Sequence, residues 1–291
     1  MLNVLAFVGC CLIWSSTWLF IKMGLDSFGP ISFLAIRFLL AAVPLWLVSR
    51  AKGEAQPRGA RDFRGLFFLS LGMFSLPYSL VYLGESRLSS GLTAVLFAMQ
   101  PLWAVVFAHF LLTHERFRAA QMGGMLLGLG GVAVVCLEGI RGRAEWHGAA
   151  AILSAALCQG FMAVWVKRSA AHRPPFATLA WSNLFAGLAL SPALLLEPHA
   201  VGPVDARGWV SLAFLSIFGS AVAFVLVFRL YRVWEATKTS TISLITPPLA
   251  LLWGSLFLHE PLGAGYVAGV ALVLAGVAAA AVVKPKGRSP A

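Results

Sequence analysis

The sequence predicts an all-α integral membrane protein whose ten transmembrane helices form two inverted five-helix repeats. Three observations predict this class: the composition, ten apolar runs of membrane-spanning length, and residues that recur after 145 positions. Of the 291 residues 59% are hydrophobic and 11% are charged, and the mean hydropathy is +0.85. Soluble domains carry about 25% charged residues. The composition therefore excludes an ordinary soluble protein.

A transmembrane helix needs roughly 20 apolar residues to cross the ~30 Å hydrocarbon core. The first predicted span lacks a small-residue cleavage site, so we interpret it as a retained helix rather than a signal peptide. The connections are short, and the longest polar loop covers residues 51–62. The ten predicted spans, numbered in chain order, cover residues 2–22, 30–49, 64–83, 89–112, 118–137, 147–168, 175–196, 207–230, 238–258 and 262–283.

The distribution of lysine and arginine predicts the orientation of the chain, because cytoplasmic loops carry an excess of both. With the N-terminus inside, 16 of the 22 basic residues lie on the inner side and five on the outer side. Both termini are therefore expected in the cytoplasm. The same scatter among short loops argues against a nucleic-acid partner.

An internal repeat is indicated by residues that recur with a single offset of 145 positions. Each half holds five spans, an odd number, so the second copy must enter the membrane upside down, as in secondary transporters. We expect a first repeat over residues 1–138, a second over 146–283 and a basic cytoplasmic tail over 284–291. The matching pairs are Lys22 and Lys167, Pro30 and Pro175, Arg87 and Arg232, Glu115 and Glu260, Gly124 and Gly269, and Gly131 and Gly276.

The repeat also explains a His-Glu phrase that occurs twice, in "LLTHERFRAAQMGG" (111–124) and "LFLHEPLGAGYVAG" (256–269). A metal or catalytic pair is one interpretation. The phrases fall on opposite sides of the membrane with no further His, Asp or Cys nearby, so we favour a glutamate placed at a helix N-terminus by the macrodipole. We predict no metal, no cofactor and no catalytic residue, and hence not an enzyme.

The sequence resembles a known family, the EamA-type carriers of the drug/metabolite transporter superfamily. Ten spans in two repeats carry the resemblance, with "IWSSTW" in span one, "AIRF" in span two and "TPPLALLWGSLFLHEP" around span nine. It looks closest to the YddG-type amino-acid exporters of bacterial inner membranes. The resemblance implies a central cavity among spans one, three, four, six, eight and nine. An extra residue between Pro101 and Glu115, and "CQGFMAVW" in span six, depart from the family pattern.

Prolines near the centres of three spans predict freed backbone carbonyls, since proline has no N–H for the carbonyl four residues back. Such groups must find a partner or face an aqueous cavity. The hypothesis is that the carbonyls of Phe97 and Ser243, freed by Pro101 and Pro247, receive a substrate ammonium group. The alternative is that the prolines only mark packing kinks satisfied by neighbouring hydroxyls.

Aromatic side chains within spans predict an apolar cavity wall with polar handles. Residues one helical turn apart share a face, as Tyr78 and Tyr82 do, and cavity-lining spans are preferred over span ends. Lipid-facing or packing aromatics are the alternative at each position. The predicted substrate-binding residues are Trp18, Tyr78, Tyr82, Phe97, Met99, Pro101, Trp103, Trp165, Ser243 and Pro247.

Ionisable residues suggest a nearly neutral cavity. The acids fall in loops or near span ends, Glu85 among them, so no proton relay is evident and the substrate gradient alone is expected to drive transport. We expect Arg37, the single deep charge, to bond span-end carbonyls or Glu85; a clamp for a substrate carboxylate is the alternative. The absence of clustered midplane cations argues against phosphorylated substrates.

Together these features predict an amino-acid exporter working by alternating access, with small zwitterions and membrane lipids as its partners. The alternatives are a broad exporter of small neutral metabolites or drugs and, in a different class, an integral-membrane enzyme. Spans five and ten carry GxxxG patterns, Gly124 with Gly128 and Gly265 with Gly269. These permit close helix packing. We interpret them as scaffold, with a homodimer face as the alternative.

Overall fold

The structure, a computed structural model, describes residues 2–111, 119–140, 142–169, 173–197, 203–233 and 242–281. Its helices follow the predicted spans, and outer and inner denote the membrane faces in the predicted orientation, which stays a prediction. The helices are Leu2–Gly24 (span one), Pro30–Ala51 (two), Ala60–Ser70, Leu71–Ser75 and Leu76–Glu85 (three), Ser90–Phe97 and Gln100–Leu111 (four), Ala119–Gly139 (five), Arg143–Ser169 (six), Pro175–Leu190 and Ala193–Leu196 (seven), Ala206–Phe214, Leu215–Val222 and Ala223–Val233 (eight), Ile242–Leu258 (nine), and Ala264–Ala281 (ten).

Length and hydropathy confirm the all-α integral membrane class. Seven helical segments are long and apolar enough to cross a bilayer, and three shorter apolar helices supply spans five, nine and ten. Large apolar side chains also cover the outside of the bundle, including Leu137 at 79% exposure and Phe110 at 76%. Such a surface would drive a soluble protein to aggregate, whereas lipid solvates it.

Spans three and eight each contain a π-helical segment, Leu71–Ser75 and Leu215–Val222. In span three the wider turn precedes Pro77, which has no N–H to donate, so the prolyl kink predicted there takes the form of a π turn. Span eight has no proline, and no local sequence feature predicts its π segment. The two segments nevertheless begin 144 residues apart, close to the repeat offset.

A glutamate near the end of span two caps the start of span seven, and a glutamate near the end of span seven caps the start of span two. The Glu197 carboxylate accepts hydrogen bonds from the backbone N–H groups of Ile31 (3.0 Å) and Ser32 (2.9 Å) at the start of span two. The Glu54 carboxylate accepts one from Ala177 N–H (2.7 Å) at the start of span seven. Ser32 and Ala177 are 145 positions apart. The exchange of caps supports two related repeats that face opposite ways, which stays a prediction.

The predicted glycine patterns are used inside the chain, where spans five and ten pack against each other. A Cβ on Gly131 would lie 2.7 Å from the Gly269 carbonyl oxygen, and a Cβ on Gly276 would meet the Gly124 carbonyl oxygen. The two contacts exchange under the 145-residue offset. The scaffold interpretation therefore accounts for these glycines, and the homodimer stays a prediction.

Gly131→Ala is expected to lower the free energy of unfolding by about 1–3 kcal/mol, because overpacking forces the two backbones apart. A Cβ there would lie 2.6 Å from the Val273 backbone nitrogen. Gly130→Ala is the matched control, since nothing lies within 4 Å of its Cβ position. That control should be neutral or gain up to about 1 kcal/mol in helix propensity. Thermal unfolding in detergent measures both, and equal midpoints would contradict the packing.

Candidate substrate site

Four of the predicted site residues pack together around the main hydrophobic core. Trp18 of span one and Phe97 of span four place their ring centroids 5.4 Å apart. Tyr78 of span three and Trp103 of span four pack, partly buried, against the same core. Spans one, three and four thus each contribute aromatic residues that pack against this core, and we call these four the central ring cluster: Trp18, Tyr78, Phe97 and Trp103.

Span four is interrupted at this cluster. Its first half-helix ends at Phe97 and its second begins at Gln100. Pro101 supplies no N–H for the Phe97 carbonyl, and the N–H of Leu102 bonds the Met99 carbonyl at 3.0 Å. The carbonyls of Phe97 and Ala98 are thereby left out of the regular i to i+4 pattern. The C-terminal end of a half-helix also carries partial negative charge, which suits a cation.

The indole of Trp103 adds an unpaired donor to the cluster. Its Nε1 atom is buried and has no hydrogen-bond partner in the described part of the chain. The Trp103 Cβ lies against span six at Gly160, where an added Cβ would stand 2.6 Å from it. A buried N–H without a partner costs about 1–3 kcal/mol. A ligand carboxylate that accepted this hydrogen bond would recover that energy.

Tyr82 and Met99 lie deeper than the central ring cluster, and both are completely buried. Met99 packs toward span five, with its sulfur 3.4 Å from where a Cβ on Gly128 would stand. The Tyr82 hydroxyl accepts a hydrogen bond from Arg37 at 2.9 Å. Both side chains therefore belong to the buried core in this conformation.

Arg37 bonds hydroxyl groups, so the expectation of span-end carbonyls or Glu85 as its partners was wrong. Its Nε donates to Ser220 Oγ at 2.9 Å, its Nη1 donates to Tyr82, and its Cζ lies 5.5 Å from the Tyr78 ring centroid. The π segment of span eight provides the space, because a Cβ on Gly219 would stand 3.3 Å from Nη2. Arg37 thus ties spans two, three and eight together.

The remaining predicted residues lie apart from the cluster or are described only in part. Trp165 packs with Leu66, Leu69 and Met162 in a separate apolar cluster. Pro247 is buried in span nine, which continues as one helix through its prolines. The Ser243 side chain lies outside the described part, although its backbone belongs to that helix. Of spans four and nine, only span four is therefore interrupted at its proline.

A third freed carbonyl, that of Met73 before Pro77, has a partner. Gln159 of span six donates its side-chain amide to the Met73 oxygen at 3.1 Å. This carbonyl is therefore satisfied inside the bundle, as the packing alternative supposed, but by an amide rather than by a hydroxyl group. Sequence reasoning did not single out Gln159 as that partner, although it lies in the "CQGFMAVW" stretch already marked as departing from the family pattern.

The second His-Glu phrase forms a helix cap, and the helix belongs to span four rather than span ten. The Glu260 carboxylate accepts hydrogen bonds from Ser90 N–H (2.7 Å), Gly91 N–H (3.1 Å) and Ser90 Oγ (3.1 Å). Its neighbour His259 is exposed and has a positive φ of 55°. The interpretation as a glutamate at a helix N-terminus was right in kind. His114 and Glu115 lie outside the described residues.

An apolar helical bundle with an interrupted helix inside an aromatic core is an architecture that membrane transporters use. The model of the EamA-like transporter family matches residues 1–137 and 146–282. The chain belongs to this family, and several of its relatives are named as transporters, which points to a protein that is not an enzyme.

Curated relatives are similar over most of their length. Protein PagO of Salmonella typhimurium is 27% identical over 82% of this chain and 80% of its own. The uncharacterised transporter YoaV of Bacillus subtilis is 26% identical over 94% of both chains. A protein of Streptantibioticus cattleyicolor named "Probable terminal-alkyne amino-acid exporter" is 28% identical over 91% of this chain and 88% of its own.

A solved crystal structure covers 96% of this chain and 96% of its own with a TM-score of 0.71. Its sequence identity is 20%, so the similarity shows the shared fold alone.

Proposed function

We propose that the protein exports amino acids, aromatic and other mostly neutral ones, across a bacterial inner membrane by alternating access between two inverted repeats. The interrupted span four carries the proposal. The carbonyls of Phe97 and Ala98, which receive no hydrogen bond in the described part of the chain, suit the ammonium group of a zwitterion, and the Trp103 N–H suits its carboxylate. Trp18 and Tyr78 offer ring faces to the side chain.

Three further observations support this proposal. The described residues hold no cluster of cations at the central ring cluster, which a phosphorylated substrate would require. A relative at 28% identity is named as an amino-acid exporter. The exchanged caps of spans two and seven and the exchanged glycine contacts of spans five and ten both favour inverted repeats.

The second candidate is a broad exporter of small neutral metabolites or drugs, which an apolar aromatic wall would also serve. The two differ in their need for the polar groups of span four. Purified protein in proteoliposomes separates them by uptake of labelled phenylalanine, with methyl viologen and lysophospholipid as competitors. The amino-acid proposal expects competition from other neutral amino acids and little from either of those compounds.

Pro101→Ala is expected to raise the apparent KM for phenylalanine about tenfold, the equivalent of one charge-assisted hydrogen bond of about 1.4 kcal/mol. Alanine restores an N–H that can engage the Phe97 carbonyl within the helix, so that carbonyl is lost to the ammonium group. Initial rates of uptake into proteoliposomes measure the change.

Pro44→Ala is the matched control for this experiment. Pro44 also lies inside a membrane helix, toward the inner end of span two, and it is not among the residues that pack against the core of the central ring cluster. Its replacement should leave the apparent KM unchanged. An unchanged KM in Pro101→Ala, or an equal rise in both variants, would contradict the proposed role of the span-four carbonyls.

A further inference from the structure

Glu85 is an acidic side chain that the transport site described above does not use. It is the last residue of the span-three helix, and its side chain is completely buried, at 0% exposure. Neither carboxyl oxygen has a hydrogen-bond partner in the described part of the chain. Its position at a span end is as expected from the sequence, but its complete burial is not.

The packing around Glu85 keeps water away. Span six lies directly against Gly84, the residue before Glu85. A Cβ on Gly84 would stand 2.6 Å from Ile152 Cδ1 and 2.9 Å from the Gly148 oxygen. Tyr82 and Leu88, on either side along the chain, are at 0% and 3% exposure. An ionised carboxylate in such a place costs several kcal/mol unless a cation or donor meets it.

Four charged or titratable groups act on Glu85 from the surrounding elements: Lys22 of span one, Arg37 of span two, Tyr82 of span three, and Glu260 between spans nine and ten. Lys22, Arg37 and Glu260 make their hydrogen bonds with partners other than the Glu85 carboxyl group. Lys22 Nζ donates to the backbone oxygens of Glu85 (3.0 Å) and Leu88 (2.7 Å). Arg37 bonds the Tyr82 and Ser220 hydroxyls, and Glu260 caps span four.

We propose that Glu85 binds and releases a proton during the transport cycle, so that export of the substrate is exchanged for entry of protons. The exchange rests on the proposed function, whereas the protonation of Glu85 does not. In the conformation seen here the carboxyl group holds the proton, because it is buried and neither oxygen receives a hydrogen bond from Lys22, Arg37 or any other donor in the described part of the chain. A carboxylate forms when the proton leaves to the inner side, and the group takes up the next proton from the outer side, so that each cycle moves one proton inward.

The position of Lys22 gives the proton a way to act on the helices. Its ammonium group links span one to the turn between spans three and four through the two backbone oxygens, and its charge acts on the carboxyl group of Glu85. A charged Glu85 carboxylate would compete for this ammonium group and loosen the link. Protonation at Glu85 thus favours the closed packing of spans one, three and four at the outer side.

Infrared spectroscopy of the purified protein in lipid tests the proton site without any substrate. The wild type is expected to show the C=O stretch of a protonated carboxylic acid at neutral pH. The band should vanish in Glu85→Gln, persist in the control Glu138→Gln, whose side chain is exposed, and move in Glu85→Asp. If Glu85→Gln does not fold, the Glu85→Asp shift assigns the band. A wild type without the band, or a band insensitive to residue 85, overturns the proposal.

Transport tests the exchange. With the membrane potential clamped, one proton exchanged per phenylalanine changes the steady-state concentration ratio about tenfold per unit of pH gradient. Wild type and Glu138→Gln should follow this relation. In Glu85→Gln the steady-state concentration ratio of phenylalanine should not depend on the pH gradient. A wild type that transports phenylalanine but ignores the gradient overturns the exchange and leaves the proposed function standing. A gradient response retained in Glu85→Gln overturns the role of Glu85. If the wild type carries no amino acid, the proposed function and the exchange fail together, and the infrared band alone decides whether Glu85 holds a proton.

Discussion

Glu260→Ala is expected to lower the free energy of unfolding by about 3–5 kcal/mol, because it leaves three buried donors without their acceptor. Those donors are Ser90 N–H, Gly91 N–H and Ser90 Oγ, all at the start of the first half of span four. That half-helix has only eight residues, because span four is interrupted after Phe97. It has little hydrogen bonding of its own to compensate. The thermal midpoint in detergent measures the loss.

His259→Asn is the matched control in the same His-Glu phrase. His259 is exposed, and asparagine tolerates its positive φ of 55°. This variant should stay within about 0.5 kcal/mol of the wild type, as exposed substitutions usually do. A comparable loss in both variants would mean that the phrase acts as a unit, contrary to the cap described here.

Arg37→Lys is expected to lower the free energy of unfolding by about 2–4 kcal/mol, although it keeps the charge. The guanidinium reaches Ser220 and Tyr82 from two different nitrogens, each at 2.9 Å. A single ammonium group cannot reproduce that fork. The lysine charge would stay in the core with fewer donors placed on acceptors, and burying a poorly satisfied cation costs several kcal/mol.

Two further variants test the explanation. Arg37→Met removes the charge together with the hydrogen bonds, so it should destabilise less than Arg37→Lys. Arg87→Lys changes an exposed arginine that bonds the Leu83 oxygen at 2.9 Å, and its effect should be small. If Arg37→Lys unfolds at the same temperature as Arg87→Lys, the two hydroxyl contacts contribute little and the account of Arg37 is wrong.

The spans could be predicted from sequence because they depend on a property that each segment carries by itself. About 20 consecutive apolar residues form a helix in a bilayer whatever their neighbours are, since every backbone group must bond within the segment. The repeat was visible for a related reason. Lys22, Pro30 and Gly131 have partners at a fixed distance along the chain, and no three-dimensional information is needed to see them.

Partners across the bundle could not be predicted in the same way. Arg37 bonds Ser220, which lies 183 residues away in a π segment that no proline marks. Glu260 bonds a helix start 170 residues before it. The pattern around each residue says that it needs a partner, and only the packing of the helices decides which one. Burial of Glu85 is a similar case, because a residue at a span end can face water or the core.

The proline pattern predicted part of the candidate site. Pro101 does break span four beside Trp18 and Phe97, as the freed-carbonyl argument requires. Pro77 is absorbed by a π turn and by Gln159, and span nine continues through Pro247. The loss of one N–H fixes which carbonyl is freed. Whether that carbonyl stays free depends on the neighbouring span, which local sequence does not report.

The central claim is that the two halves of the chain enter the membrane in opposite directions and enclose the central ring cluster between them. Labelling of single cysteines in intact cells with a membrane-impermeant maleimide tests this most directly, after replacement of the four native cysteines. Lys52→Cys follows span two and Leu262→Cys follows span nine, and both positions are exposed. We expect the cysteine at position 262 to react in intact cells and the one at position 52 to react only once the membrane is opened. Equal access of both to the reagent in intact cells would contradict the inverted arrangement.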